Sequence, residues 1–133
     1  MELIPIGHVE SSLKLREEAP KQGDEGAPDA WLVITDAVAE GLEGIAAGDE
    51  ILLLTWLDRA ERDVLKVIPR GDRRRGVQGV FSTRSPDRPN PIGLHRVTVL
   101  EVAGPRLRVR SLEALDGTPI VDVKPLLRSI EER

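Results

Sequence analysis

The sequence contains no cysteine and no tyrosine, one phenylalanine and two tryptophans. The absence of cysteine excludes disulfides, thiolate metal sites and a cysteine nucleophile. With Trp31, Trp56 and Phe81 as the only aromatics, the core must be built mainly from Leu, Val, Ile and Ala. Histidine is almost as scarce. His8 and His95 form no pair at ligand spacing, which argues against a zinc site, and no metal is expected. No phosphate-binding loop of the P-loop type is present, and no G-x-G-x-x-G follows a strand, so a nucleotide-like cofactor must be held outside a Rossmann framework. Long hydrophobic runs are missing too. The longest, "ILLLTWL" at 51–57, falls far short of the roughly 20 residues that a spanning helix needs, and no membrane partner is expected. The opening "MELIPIGHVESSL" has no basic region followed by a long apolar stretch, so the expectation is a cytoplasmic protein without a secretory signal.

The chain has 133 residues, 40% apolar and 32% charged, the balance of one globular domain spanning 1–133. Its net charge of −4 is unevenly distributed: residues 1–58 carry −10, residues 59–96 carry +6, and the remainder is neutral. One basic segment in an acidic chain suggests a single anion-facing patch, although solvated loop arginines would give the same count.

Short β-like runs recur at 3–9, 30–35, 50–57, 63–68, 76–83, 96–102 and 106–112. In the last, Leu107 and Val109 alternate with Arg106, Arg108 and Arg110, as in a half-buried strand, and Ala103-Gly104-Pro105 joins it to its predecessor as a hairpin. Helix signals are thin, the best being a short turn around "VAEGLEGIAAGD" that its glycines weaken. The fold class expected is mainly β: a small barrel-like domain of antiparallel strands with long loops and little helix.

The segment "GVFSTRSPDRPNPIGLHRV" (79–97) stands apart. Three prolines fix their own φ and push Ser85, Arg88 and Asn90 out of the helical region, so Arg84, Arg88 and Asn90 are displayed at little entropic cost. Such stiffness suits a preformed ligand site, and equally a rigid crossover. Gly93 permits an unusual φ or a close approach by another backbone. His95, beside this loop, is a candidate anion contact or general base, whereas His8 reads as a strand residue. A second cluster, "LEALDGTPIVDVKP" (112–125), reads as a turn at Asp116-Gly117 followed by a strand.

These two motifs, with "IGHVESSL", "PKQ" and "LEGIAAGDEILLLTWL", strongly resemble the TrmO family, also called TsaA-like or YaeB-like, over nearly the whole chain. The resemblance implies a β-barrel methyltransferase that uses S-adenosyl-L-methionine to methylate N6 of threonylcarbamoyl-adenosine beside the anticodon of tRNA, working as a homodimer with cofactor sites near the subunit interface. By position it implies a cofactor pocket of Pro20, Lys21, Gln22, Arg84, Leu94, Leu115, Asp116 and Gly117. Arg84, Asn90 and Asp116 would orient donor and acceptor, while Arg73, Arg74, Arg75 and Arg88 would face RNA phosphates. Where enterobacterial members carry a His-Gln pair at the end of the middle strand, this chain has Trp56-Leu57, and Trp56 is expected to substitute by stacking on the cofactor. The sequence stops soon after "DVKP", short of the extra C-terminal domain of longer members, so a short form is expected. Two alternatives stay open: methylation of another acceptor, and a non-catalytic S-adenosylmethionine-binding module.

Overall fold

The computed structural model describes residues 1–20, 26–69, 74 and 76–127. Eight strands follow in chain order: β1 (Gly7–Glu10), β2 (Ala30–Ile34), β3 (Glu50–Trp56), β4 (Lys66–Val67), β5 (Gln78–Gly79), β6 (Ile92–Ala103), β7 (Arg106–Val109) and β8 (Pro119–Pro125). Six of them close into an antiparallel barrel in the order β1-β2-β7-β6-β3-β8, and β4 and β5 form a separate two-stranded ribbon. Closure leaves no unpaired sheet edge in the barrel.

The period-two pattern of the sequence decides which side chains enter. On β3, Ile51, Leu53 and Thr55 point inward while Leu52, Leu54 and Trp56 stay half-buried outside. Leu107 and Val109 of β7 are fully buried, with Arg106 and Arg108 outside. Val9, Leu32, Leu53, Val99 and Ile120 meet at the centre, an aliphatic core that contains no aromatic ring. This agrees with the mainly β, barrel-like expectation.

Boundaries differ from the sequence reading for local reasons. The first strand begins at Gly7 and not at residue 3, because Pro5 has no N–H for the ladder, and Ile6 is the residue before β1 that bonds across, donating to Ile120 O at 2.8 Å. Of 76–83, only Gln78–Gly79 is strand, and Val80–Ser82 turns as a 3-10 helix toward the proline loop. The weak helix signal becomes a 3-10 helix at Asp36–Leu42, ended before Gly44 at φ 98°. Among the described residues no helix is long and apolar enough to cross a membrane.

Leu53 is fully buried where β3 is flanked by β6 and β8. Leu53→Ala is expected to lower unfolding free energy by about 2–5 kcal/mol, read as a lower urea midpoint at unchanged m-value.

Candidate functional site

The proline loop is braced from within and without. Within it, the Arg88 guanidinium donates to Ser85 O at 2.8 Å, Val80 O at 2.7 Å and Thr83 O at 2.5 Å. The three carbonyls fix the bend, and the guanidinium that was expected at the RNA side is engaged in holding its own loop. From outside, Arg62 donates through Nε to Pro89 O at 2.7 Å and through Nη2 to Asn90 Oδ1 at 2.9 Å. Arg16 spans both oxygens of Asp87 at 3.1 Å, and Asp87 Oδ1 also accepts the Glu61 N–H at 2.9 Å. Proline thus limits the unfolded loop, and these bonds select the folded one.

Between this loop, the start of β6 and the segment 110–118 lies an open cleft of about 1280 Å³, lined among others by Pro20, Leu57, Arg84, Leu94, Glu113 and Leu115. That exceeds the roughly 300–1,000 Å³ of pockets for one drug-sized ligand, leaving room for two reactants. Arg84 and Arg110 both line the cleft, and neither guanidinium has an ion pair or hydrogen bond among the described residues. Two unspent cations beside apolar Leu94 and Leu115 suit a ligand that carries an anion at one end and an apolar ring at the other. Ser111, the one non-glycine residue with positive φ among those described (49°), sits in this wall, its N–H donating to Asp29 Oδ1 at 3.0 Å.

A polar chain runs from the core to the cleft. His95 Nε2 lies 2.7 Å from Thr55 Oγ1, and His95 Nδ1 lies 2.5 Å from Glu113 Oε1. Thr55 on β3 faces Gly93 on β6. A Cβ at Gly93 would strike Thr55 Oγ1 and come within 2.7 Å of His95 Nε2. The close approach that Gly93 was expected to allow is therefore by side chains and not by another backbone.

Of the residues singled out from sequence, Pro20, Arg84, Arg88, Gly93, Leu94, His95 and Leu115 come together on the cleft. Trp56 does not line it: when Thr55 points inward, alternation turns Trp56 outward, where its ring lies 5.1 Å beneath the Arg62 guanidinium. Its neighbour Leu57 takes the cleft position. Asn90 is held by Arg62 on the outer side of the loop. Asp116 accepts the Ser11 N–H and the Lys14 ammonium, both at 2.9 Å, and so ties the 115–118 turn to the segment after β1, while Gly117 takes the positive φ of that turn, 83°. Arg74 is exposed. Lys21, Gln22, Arg73 and Arg75 lie outside the described residues. Sequence reasoning missed Thr55, Arg110, Glu113 and Thr118. The only available signal was "RSLE", a charged stretch entering a wall otherwise rich in Leu.

The hydrogen bond from Lys14, then that from the Ser11 N–H, and more weakly the Lys14 and His8 charges hold the Asp116 carboxyl below its ordinary 3.8 against a smaller opposing effect of burial.

Comparison with known proteins gives concordant results. The family model described as "tRNA-methyltransferase O N-terminal domain" matches residues 8–132. A "Probable S-adenosyl-L-methionine-binding protein" of Methanothermobacter thermautotrophicus is 45% identical over 127 residues, covering 96% of this chain and 90% of that protein. An "S-adenosyl-L-methionine-binding protein" of Archaeoglobus fulgidus is 48% identical over 124 residues, covering 93% of this chain and 88% of that protein. A crystal structure of TrmO from Pseudomonas aeruginosa superposes with a TM-score of 0.77 at 26% identity, covering all of this chain and 60% of that one. The chain therefore spans about three fifths of that solved protein.

Because folding lowers the Asp116 pKa, its bonds stabilise the fold above the unfolded value near 3.8 and the contribution is lost as pH falls through the lower folded value. In urea melts from pH 5 to 2, Asp116→Asn should be less stable than wild type at pH 5, with the difference shrinking toward pH 2.

Proposed function

The chain belongs to the tRNA-methyltransferase O N-terminal domain family, and we propose that it is an S-adenosyl-L-methionine-dependent methyltransferase acting on N6 of threonylcarbamoyl-adenosine next to the anticodon of tRNA. The observation that carries the reading is the cleft itself: Arg84, presented by the proline loop without a hydrogen-bond or ion-pair partner among the described residues, lines it together with Leu94 and Leu115. These residues fit the cofactor. Arg84 and Arg110 match its carboxylate, Leu57, Leu94 and Leu115 match its adenine, and the carboxylates of the lining, Glu113 among them, match its sulfonium. When bound, S-adenosylmethionine supplies an electrophilic methyl group on a sulfonium leaving group.

The chain's own contribution is alignment. Holding donor and acceptor in line is worth about 7–11 kcal/mol when done well, and a loop fixed by prolines and by Arg88 loses little further entropy in doing so. RNA phosphates meet the basic run Arg73, Arg74, Arg75, which enters the 59–96 segment of net charge +6. A homodimer is part of the same reading. It is supported by Leu65, Val77 and Phe81, which are 62%, 65% and 79% exposed around the β4-β5 ribbon and which a second copy would cover. The archaeal relatives are named for binding of the cofactor alone, and a second reading is a cofactor-binding module without transfer.

Transfer of label from methyl-labelled S-adenosylmethionine to tRNA carrying threonylcarbamoyl-adenosine separates the two readings: label in the RNA supports the enzyme, and bound but untransferred label supports the module. Arg84→Ala should weaken cofactor binding roughly 10- to 100-fold, the loss of one charge-assisted hydrogen bond, with little change in melting temperature. Equal loss of binding and stability would make Arg84 structural. Affinity for tRNA should fall by about 0.7–0.9 log units per log unit of salt for each phosphate neutralised, and charge reversal at Arg73, Arg74 and Arg75 should reduce that slope.

A further inference from the structure

Among the described residues, the polar side chains sealed in the core are Thr55, His95 and Thr118, at 0%, 5% and 4% exposure. An imidazole inside an aliphatic barrel is costly unless both nitrogens are satisfied, and here both are. Nδ1 is bonded to the Glu113 carboxyl and Nε2 to the Thr55 hydroxyl, which can donate or accept as the ring requires. A purely structural role would be served more cheaply by another aliphatic residue, as at Val97 and Val99 two and four positions on along the same inward face of β6.

The chain ends at the cleft. Glu113 lines it with its side chain 19% exposed, His95 lines it beside Glu113 while itself only 5% exposed, and Thr55 lies behind them. Arg84 and Arg110 line the same cleft, yet neither pairs with Glu113. The carboxylate is thus oriented by an imidazole and not neutralised by a guanidinium. The wall that carries it turns through Ser111 at φ 49°, a left-handed conformation that non-glycine residues take uncommonly and that clusters at working sites.

We propose that Glu113, positioned by His95 and Thr55, is the proton acceptor of the site. This rests on the methyl-transfer reading. The acceptor's lone pair forms the bond to the methyl carbon as the carbon–sulfur bond breaks with its electrons remaining on sulfur. The proton shed by the acceptor nitrogen passes to Glu113 and from there to water after the product leaves. Gly93 keeps open the space in which the Thr55–His95 bond forms.

The test is Glu113→Gln, which preserves shape but cannot take the proton, measured beside wild type by calorimetric titration with S-adenosylmethionine and by single-turnover transfer to tRNA bearing threonylcarbamoyl-adenosine. Unchanged cofactor affinity and tRNA KM with kcat lowered roughly 10²- to 10⁴-fold is the expected result, with Glu113→Asp partly restoring the rate. Wild-type kcat in a folded Glu113→Gln protein overturns the proposal, and so does loss of cofactor binding in step with kcat, which would make Glu113 a cofactor contact. Should the variant not fold, the wild-type single-turnover rate decides: slower transfer in deuterium oxide is expected, and an identical rate overturns the proposal. Wild-type protein that binds the cofactor but transfers no methyl group overturns the methyl-transfer reading and this inference with it; a failure confined to Glu113→Gln overturns this inference alone.

Discussion

The structure depends on a change of partner along one strand. β6 pairs with β3 through residues 92–98 and then with β7 from Val99 to Ala103, with an irregularity between Val99 and Glu101. Twelve continuous residues therefore join the two sides of the barrel and close it. The same strand forms the floor of the cleft at its start, so the hydrogen bonds that complete the sheet also fix the position of Gly93, Leu94 and His95. Core and site cannot move independently at this point.

The loop preceding β6 inherits that rigidity. Leu57 N donates to Pro91 O at 2.8 Å immediately past the β3-β6 ladder, and Arg88 N donates to Glu61 O at 3.0 Å further out, so the proline segment is fastened to the chain that leaves β3. Prolines reduce what the loop can do when unfolded, and Arg62, Arg16 and Arg88 reduce it again when folded. Arg62 and Arg88 of the basic segment 59–96 are consumed in this bracing, whereas Arg84 of that segment and Arg110 beyond it have no partner among the described residues. A raw charge count could not separate arginines that hold the protein together from arginines that face outward.

Much of the fold was legible because alternation and turn residues are local. The β7 pattern, the hairpin through Gly104 and the turn at Asp116-Gly117 all follow from neighbours a few residues apart. Pro20, Arg84, Leu94 and Leu115 were placed together for a different reason, a likeness of motifs, and all four line the cleft. What escaped was set by phase and by distance along the chain. Trp56 was expected at the ligand, but once Thr55 enters the barrel the next residue must leave it. Asn90 and Asp116 were expected to orient donor and acceptor, and the residues that engage them in the fold, Arg62 and Lys14, lie 28 and 102 residues away in sequence. The link from Thr55 through His95 to Glu113 joins two strands and a wall segment, and no local pattern announces it.

The central claim is that a cleft built by the start of β6, the braced proline loop and the 110–118 wall is made for S-adenosylmethionine. Calorimetric titration of the purified protein with S-adenosylmethionine, with S-adenosylhomocysteine as the comparison ligand, tests it most directly. Saturable binding of both at about one site per chain is the predicted result, since the anionic end and the adenine are common to the two. Absence of heat and of saturation for both would contradict the account, leaving a family scaffold whose cleft serves another ligand.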